Sequence, residues 1–92
     1  MAFGDLTSRD AVRQAMMEYD ETGREQFLRK YGFGPARRYF LVHDGRRYDS
    51  KAIVGVAHGY QFPREGPLRP EDFSGGEKTV CAKLAELGFE VP

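Results

Sequence analysis

The chain has 92 residues, 30% of them charged, with 14 basic and 14 acidic side chains and a formal net charge of zero. That length holds one small domain with a modest core and excludes a second domain or a deep enclosed active site. A single cysteine, Cys81, excludes an internal disulfide, and no apolar run approaches the ~20 residues that a membrane helix needs, so the chain is expected in the cytoplasm. In chain order, Thr7-Ser8-Arg9-Asp10 reads as an N-cap with an acid in the first turn. It opens a helix whose buried side is Val12, Ala15, Met16 and Tyr19 and which ends near Asp20. Thr22-Gly23-Arg24-Glu25 has the form of a capping box for a shorter second helix, which carries Phe27, Leu28 and Tyr31 and stops at Gly32.

Gly34-Pro35 breaks regular structure. Tyr39 to His43 is rich in aromatic and branched residues, Asp44-Gly45 is a two-residue turn, and Arg46 to Tyr48 continues beyond it, so 39–48 is expected to be a β-hairpin. A two-residue turn sets His43 opposite Arg46, Val42 opposite Arg47 and Leu41 opposite Tyr48. Strands this short need support, which the helices and a third strand at 89–91 would supply.

The most apolar run follows, from Tyr48 to Tyr60. Asp49 or Ser50 would cap it, and Ile53, Val56, Ala57 and Tyr60 recur on one helical face, with Lys51, Gly55 and His58 on a second stripe. Periodicity alone also allows a buried strand over 53–57. Residues 61–69 read as a loop, Pro70-Glu71-Asp72-Phe73 as one helical turn, and Ser74-Gly75-Gly76-Glu77 as a capping box. The last helix would bury Val80, Leu84 and Leu87 with Cys81 beside them and end at Gly88. The expectation is a single α+β domain over 1–92, with about four helices packed on a short antiparallel sheet.

Chemistry-bearing groups do not converge as an enzyme requires. His43, His58 and Cys81 lack the paired spacing of a zinc site, so no metal or other cofactor is expected. Asp49-Ser50-Lys51 has the form of half a metal-nuclease motif, in which carboxylates hold the ion and a lysine supports the attacking water. No second carboxylate on a neighbouring strand is evident, capping accounts for Asp49, and no catalytic residue is assigned. Gly75-Gly76-Glu77-Lys78-Thr79 departs from a phosphate-binding loop because Glu77 stands between glycine and lysine.

The charge is unevenly spread. Residues 29–51 hold seven basic side chains against two acidic ones, while the segments on either side are net acidic. Arg37, Arg38, Arg46, Arg47 and Lys51, with the Ser50 hydroxyl, the start of the central helix and His58 nearby, form a candidate nucleic-acid surface. Alternation along a strand sends Arg46 and Arg47 to opposite faces unless they lie at its twisted end. A docked phosphate backbone suits these arginines, and so does a solvated, edge-protecting hairpin tip.

Phe27-Leu28-Arg29-Lys30-Tyr31-Gly32-Phe33, Tyr48-Asp49-Ser50-Lys51-Ala52-Ile53, Gly55-Val56-Ala57-His58-Gly59 and Phe73-Ser74-Gly75-Gly76, closed by Leu87-Gly88-Phe89, together resemble the N-terminal head domain of McrA-like modification-dependent restriction endonucleases. Nearly the whole chain takes part in the resemblance. It implies a bacterial accessory module of a larger nuclease, in which separate domains recognise phosphorothioated or methylated DNA and an HNH domain cleaves it. The partners expected are DNA, double-stranded and modified, and the neighbouring domains of the nuclease, with no membrane. The alternative is a protein-docking or dimerisation module, in which Phe3, Met17 and Phe62 would share one surface. A pocket for a small ligand or modified base near Lys51 and His58 is a third reading.

Overall fold

The computed structural model describes residues 5–73 and 77–92, the first two residues of the second stretch by backbone alone. Helix α1 spans Arg9–Thr22 and begins where Ser8 leaves extended backbone, its hydroxyl accepting from the Ala11 N–H at 3.0 Å. Ala11, Val12, Ala15, Met16 and Tyr19 are buried, which is the expected apolar stripe. The helix runs two residues past Asp20. Gly23, at φ +92°, then turns the chain into α2, Arg24–Tyr31. The expected capping box at 22–25 does not form, because the cap position falls on Gly23, which has no side chain to offer, and not on Thr22. Gly32 closes α2 in the left-handed conformation, and the Phe33 N–H reaches back to the Leu28 carbonyl at 2.9 Å.

Strands β1, Phe40–His43, and β2, Arg46–Asp49, pair antiparallel in the expected register, with Phe40 opposite Asp49 in addition. Asp44 and Gly45 both take positive φ, +50° and +76°, the backbone that matches a two-residue turn to the twist of its strands. Leu41 and Tyr48 face inward, and the Tyr48 ring meets the Tyr19 ring edge-on at 5.0 Å between centroids. The strand expected at 89–91 is reduced to one antiparallel bridge, Val42 with Glu90, the Val42 N–H donating to the Glu90 carbonyl at 2.8 Å. Phe89 spends its N–H closing the preceding helix on the Leu84 carbonyl, and Pro92 has none, so little remains to extend a ladder.

The apolar run is a helix: α3, Ser50–Gln61, follows β2 without a break and is buried continuously from Ala52 to His58. Fully burying each of Ile53, Val54 and Val56 contributes about 1.5–3 kcal/mol. The Lys51–Gly55–His58 stripe is also turned inward, so α3 has almost no wet face in its middle. Gly55 permits this: a Cβ there would lie 2.6 Å from the Phe33 ring and 2.9 Å from the Leu68 carbonyl oxygen. Tyr60, expected on the buried face, is instead 39% exposed, because the last turn emerges beside α1 and its hydroxyl bonds Glu18 at 2.7 Å. Gln61 secures the start of α1, its Oε1 accepting from the N–H groups of Thr7 and Ser8.

A 3-10 turn occupies Pro70–Asp72. The last helical segment is a wide π turn, Glu77–Cys81, leading into α4, Ala82–Glu86, with Val80, Cys81 and Leu84 buried and Leu87 partly so. The cap expected at 74–77 lies outside the described residues. The result is an α+β domain of four α-helices and a two-stranded antiparallel sheet among the described residues, with α3 at its centre. No described helix is long and apolar enough to cross a membrane.

Candidate nucleic-acid interface

The two arginines after the turn part company. Arg46 lies on the face of the hairpin that meets α1, where its Nη1 is 3.2 Å from Asp20 Oδ1 and the Tyr48 hydroxyl donates to Asp20 Oδ2 at 3.0 Å. Its charge is therefore answered within the domain. Arg47 takes the other face and lies over the Phe40 ring, 4.1 Å from the centroid, with the Arg24 guanidinium 6.0 Å from the same ring.

Arg37 and Arg38 stand exposed in the segment entering β1, Arg38 lying 5.7 Å from the Tyr39 ring centroid. Together with Ser50 and Lys51 they line a groove of about 280 Å³ between residues 34–39 and the first turn of α3. Among the described residues Arg37, Arg38 and Arg47 form no ion pair. Lys51 meets no acid either. Its Nζ donates to the Pro70 carbonyl at 2.8 Å and lies 5.1 Å from the Phe73 ring. Ser50 is 3% exposed and gives its hydroxyl hydrogen to the Tyr39 carbonyl at 2.8 Å, so it is not a free donor for a phosphate. His58 is wholly buried, with Nδ1 3.0 Å from the Gly66 carbonyl oxygen, its ring against Phe62 and Nε2 without a hydrogen-bond partner among the described residues. Burial removes it from any backbone phosphate.

Asp49 has a role that its sequence position does not reveal. It holds the N-cap position of α3 but makes no side-chain bond to the helix. Its carboxylate is 2% exposed and accepts from Tyr19 Oη at 2.6 Å, Arg24 Nε at 2.9 Å, Arg24 Nη2 at 3.0 Å and the Ala36 N–H at 2.8 Å. Burial, the largest single influence, pushes its carboxyl upward, but the bonds from Arg24, Tyr19 and Ala36 together outweigh it and hold the group below its ordinary range. Burial followed by the bond to Asp49 pushes the Tyr19 phenol strongly upward. The capping expectation thus gives way to a buried ionic hub, and the first-turn N–H groups of α3 are left uncapped by Asp49 beside Arg37, Arg38 and Lys51. No group of three or more potential metal-ligating side chains occurs among the described residues, so the nuclease-like Asp49-Ser50-Lys51 spacing is not accompanied by the companions such a site needs.

Four consecutive side chains therefore reach four separate places: Tyr48 to Asp20, Asp49 to Arg24, Ser50 to the Tyr39 carbonyl and Lys51 to the Pro70 carbonyl. Sequence reasoning missed Arg24, which lies 25 residues from its partner. The one available sign is that Arg24 starts a helix, where a cation opposes the dipole unless something else holds it.

Comparison with known proteins agrees with this architecture. Residues 5–92 match the family described as ScoMcrA-like, N-terminal head domain. A solved structure described as the Type IV phosphorothioation-dependent restriction endonuclease ScoMcrA is 34% identical, with a TM-score of 0.69 over 96% of this chain. The chain spans 13% of that structure's chain. No curated protein matched. The match falls on a head domain and not on the catalytic part of a nuclease, and the chain belongs to the ScoMcrA-like N-terminal head domain family.

Proposed function

We propose that the chain is the head module of a larger modification-dependent restriction endonuclease, acting in the cytoplasm and holding double-stranded, modified DNA by its phosphate backbone without a metal or other cofactor of its own. The observation that carries this reading is the meeting of Arg37, Arg38 and Lys51, none of them ion-paired among the described residues, around the first turn of α3 in one open groove whose lining acid, Asp49, is taken up by Arg24. Arginine guanidinium groups and uncapped helix N–H groups are what phosphate oxygens take up. Arg47, stacked on Phe40 and without an ion pair among the described residues, extends the surface along the hairpin. Contacts of this kind position a duplex, and recognition of the modification falls to other domains of the parent nuclease.

The test is a titration with short duplexes, unmodified, phosphorothioated and methylated, at two salt concentrations. Binding should weaken as salt rises, and the triple variant Arg37→Ala/Arg38→Ala/Arg47→Ala should flatten the logarithmic salt slope by about 1 for each phosphate contact removed. Arg46→Ala, whose partner is Asp20, should leave the slope unchanged. Failure of every duplex to bind at low salt overturns the reading.

A protein-docking role has its own support, though not from the cluster expected. Phe3 lies outside the described residues, and Phe62 is half-buried against His58. Met17 and Tyr60 instead flank one groove.

A further inference from the structure

An open groove of about 630 Å³ lies between α1, the end of α2 and the last turn of α3. It shares no lining residue with the groove of Arg37 and Arg38. Pro63 and Pro67 form part of its wall, and Gly59 lies so close to Pro67 that a Cβ would sit 2.7 Å from the proline nitrogen. Among the described residues, the large apolar side chains standing most open to solvent are Met17, at 61%, and Tyr60, at 39%, and both line this groove.

Its polar centre is Glu18. Tyr31 and Tyr60 donate their hydroxyls to it at 2.8 and 2.7 Å, and Lys30 Nζ lies 2.7 Å from Oε2. The same ammonium is 5.1 Å from the Tyr31 ring centroid. A cation is thus already seated between a carboxylate and an aromatic face, the arrangement that binds ammonium and guanidinium groups. The Lys30 side chain is 58% exposed while Glu18 is 14% exposed, so the ammonium is the half of the pair that solvent reaches and that a competing cation can replace. Glu21 adds a second carboxylate to the lining.

We propose that this groove receives a lysine or arginine of an amphipathic protein segment, which displaces Lys30 from Glu18 and lays its adjoining apolar side chains on Met17 and Tyr60. The two carboxylates repel phosphate, so a nucleic acid does not fit. An anionic centre, flanked by the two most exposed large apolar side chains, suits a segment that is both basic and apolar.

Nuclear magnetic resonance titration of the 92-residue chain tests this with two capped peptides of leucines, one carrying arginine and lysine and the other glutamates in their places. The basic peptide should shift the amide resonances of Met17, Glu18 and Tyr60, and the acidic peptide should not. Glu18→Gln, which keeps the phenol bonds, should weaken binding about tenfold. Lys30→Met, which vacates the seat, should tighten it about threefold. The opposite signs are the decisive readout, since a merely structural role for the pair would move both variants the same way. Equal response to both peptides, no response at millimolar peptide, weakening by Lys30→Met, or shifts confined to Arg37 and Arg38 overturns the proposal. Concentration-dependent shifts at Met17 without peptide, showing a second copy as the occupant, overturn it as well.

Discussion

Asp49 is gripped by Arg24 through two parallel bonds of 2.9 and 3.0 Å, with one partner 2% and the other 48% exposed. The asymmetry sets the expected cost of breaking the pair. Asp49→Ala strands the Tyr19 hydroxyl and the Ala36 N–H as well as the guanidinium, and should lower unfolding stability by about 3 kcal/mol. Arg24→Ala leaves the carboxylate two donors and should cost about 1–2 kcal/mol. Urea denaturation followed by circular dichroism measures both, and an Asp49→Ala loss below about 1 kcal/mol would refute the hub.

Acid should weaken the fold through the same group and through Glu18. Burial raises both carboxyls, but at Asp49 the bonds from Arg24, Tyr19 and Ala36 prevail, and at Glu18 those from Lys30, Tyr60 and Tyr31. Both therefore lie below their ordinary values of 3.8 and 4.5. The unfolded chain then takes up protons first on acidification, so the stabilisation is complete above about pH 5 and drains away as pH falls through the folded values. The urea midpoint should drop steeply across that window in the parent chain. Asp49→Asn, already less stable, should show a shallower drop.

At the alkaline end, Tyr60 is pushed up to about 12, first by burial and then by its bond to Glu18. A raised phenol stabilises below its ordinary value of 10, and that contribution is lost as pH rises toward 12. Ultraviolet titration of phenolate should show Tyr60 ionising late. Glu18→Gln should bring it partway back toward 10, since burial remains.

Two glycines of α3 should reject alanine despite its better helix propensity, worth about 1 kcal/mol. At Gly55 the new methyl meets the Phe33 ring at 2.6 Å and the Leu68 carbonyl at 2.9 Å, and at Gly59 it meets the backbone nitrogen of Pro67 at 2.7 Å. Each variant should lose about 1–3 kcal/mol overall, read as a lowered thermal midpoint. An unchanged midpoint would mean that the loop from Pro63 to Leu68 withdraws freely.

The hairpin was legible because its information is local: Asp44-Gly45 dictates the turn, and the turn dictates which residues face each other. The α1 cap and stripe were legible for the same reason. Asp49 was not, because an acid before an apolar helix is the pattern of a cap, and nothing local shows that Arg24 will claim it from another helix. The full burial of His58 was not legible, because the carbonyl that partners it comes from Gly66 in a loop whose path helical periodicity does not show. The parting of Arg46 and Arg47 was legible from strand alternation, but not that Asp20 lies beneath one face of the hairpin to take up Arg46.

The side chains of Tyr48, Asp49, Ser50 and Lys51 act as a wiring harness, each lead ending on a different part of the chain. A relative that carries the same four letters shares the circuit that shapes the domain. Under the two proposals above, what such a relative touches is set elsewhere, by Arg37, Arg38 and Arg47 and by Met17, Glu18 and Tyr60. Two proteins with an identical Tyr-Asp-Ser-Lys signature can thus grasp different things, and partner choice can drift without any change to the letters by which the fold is recognised.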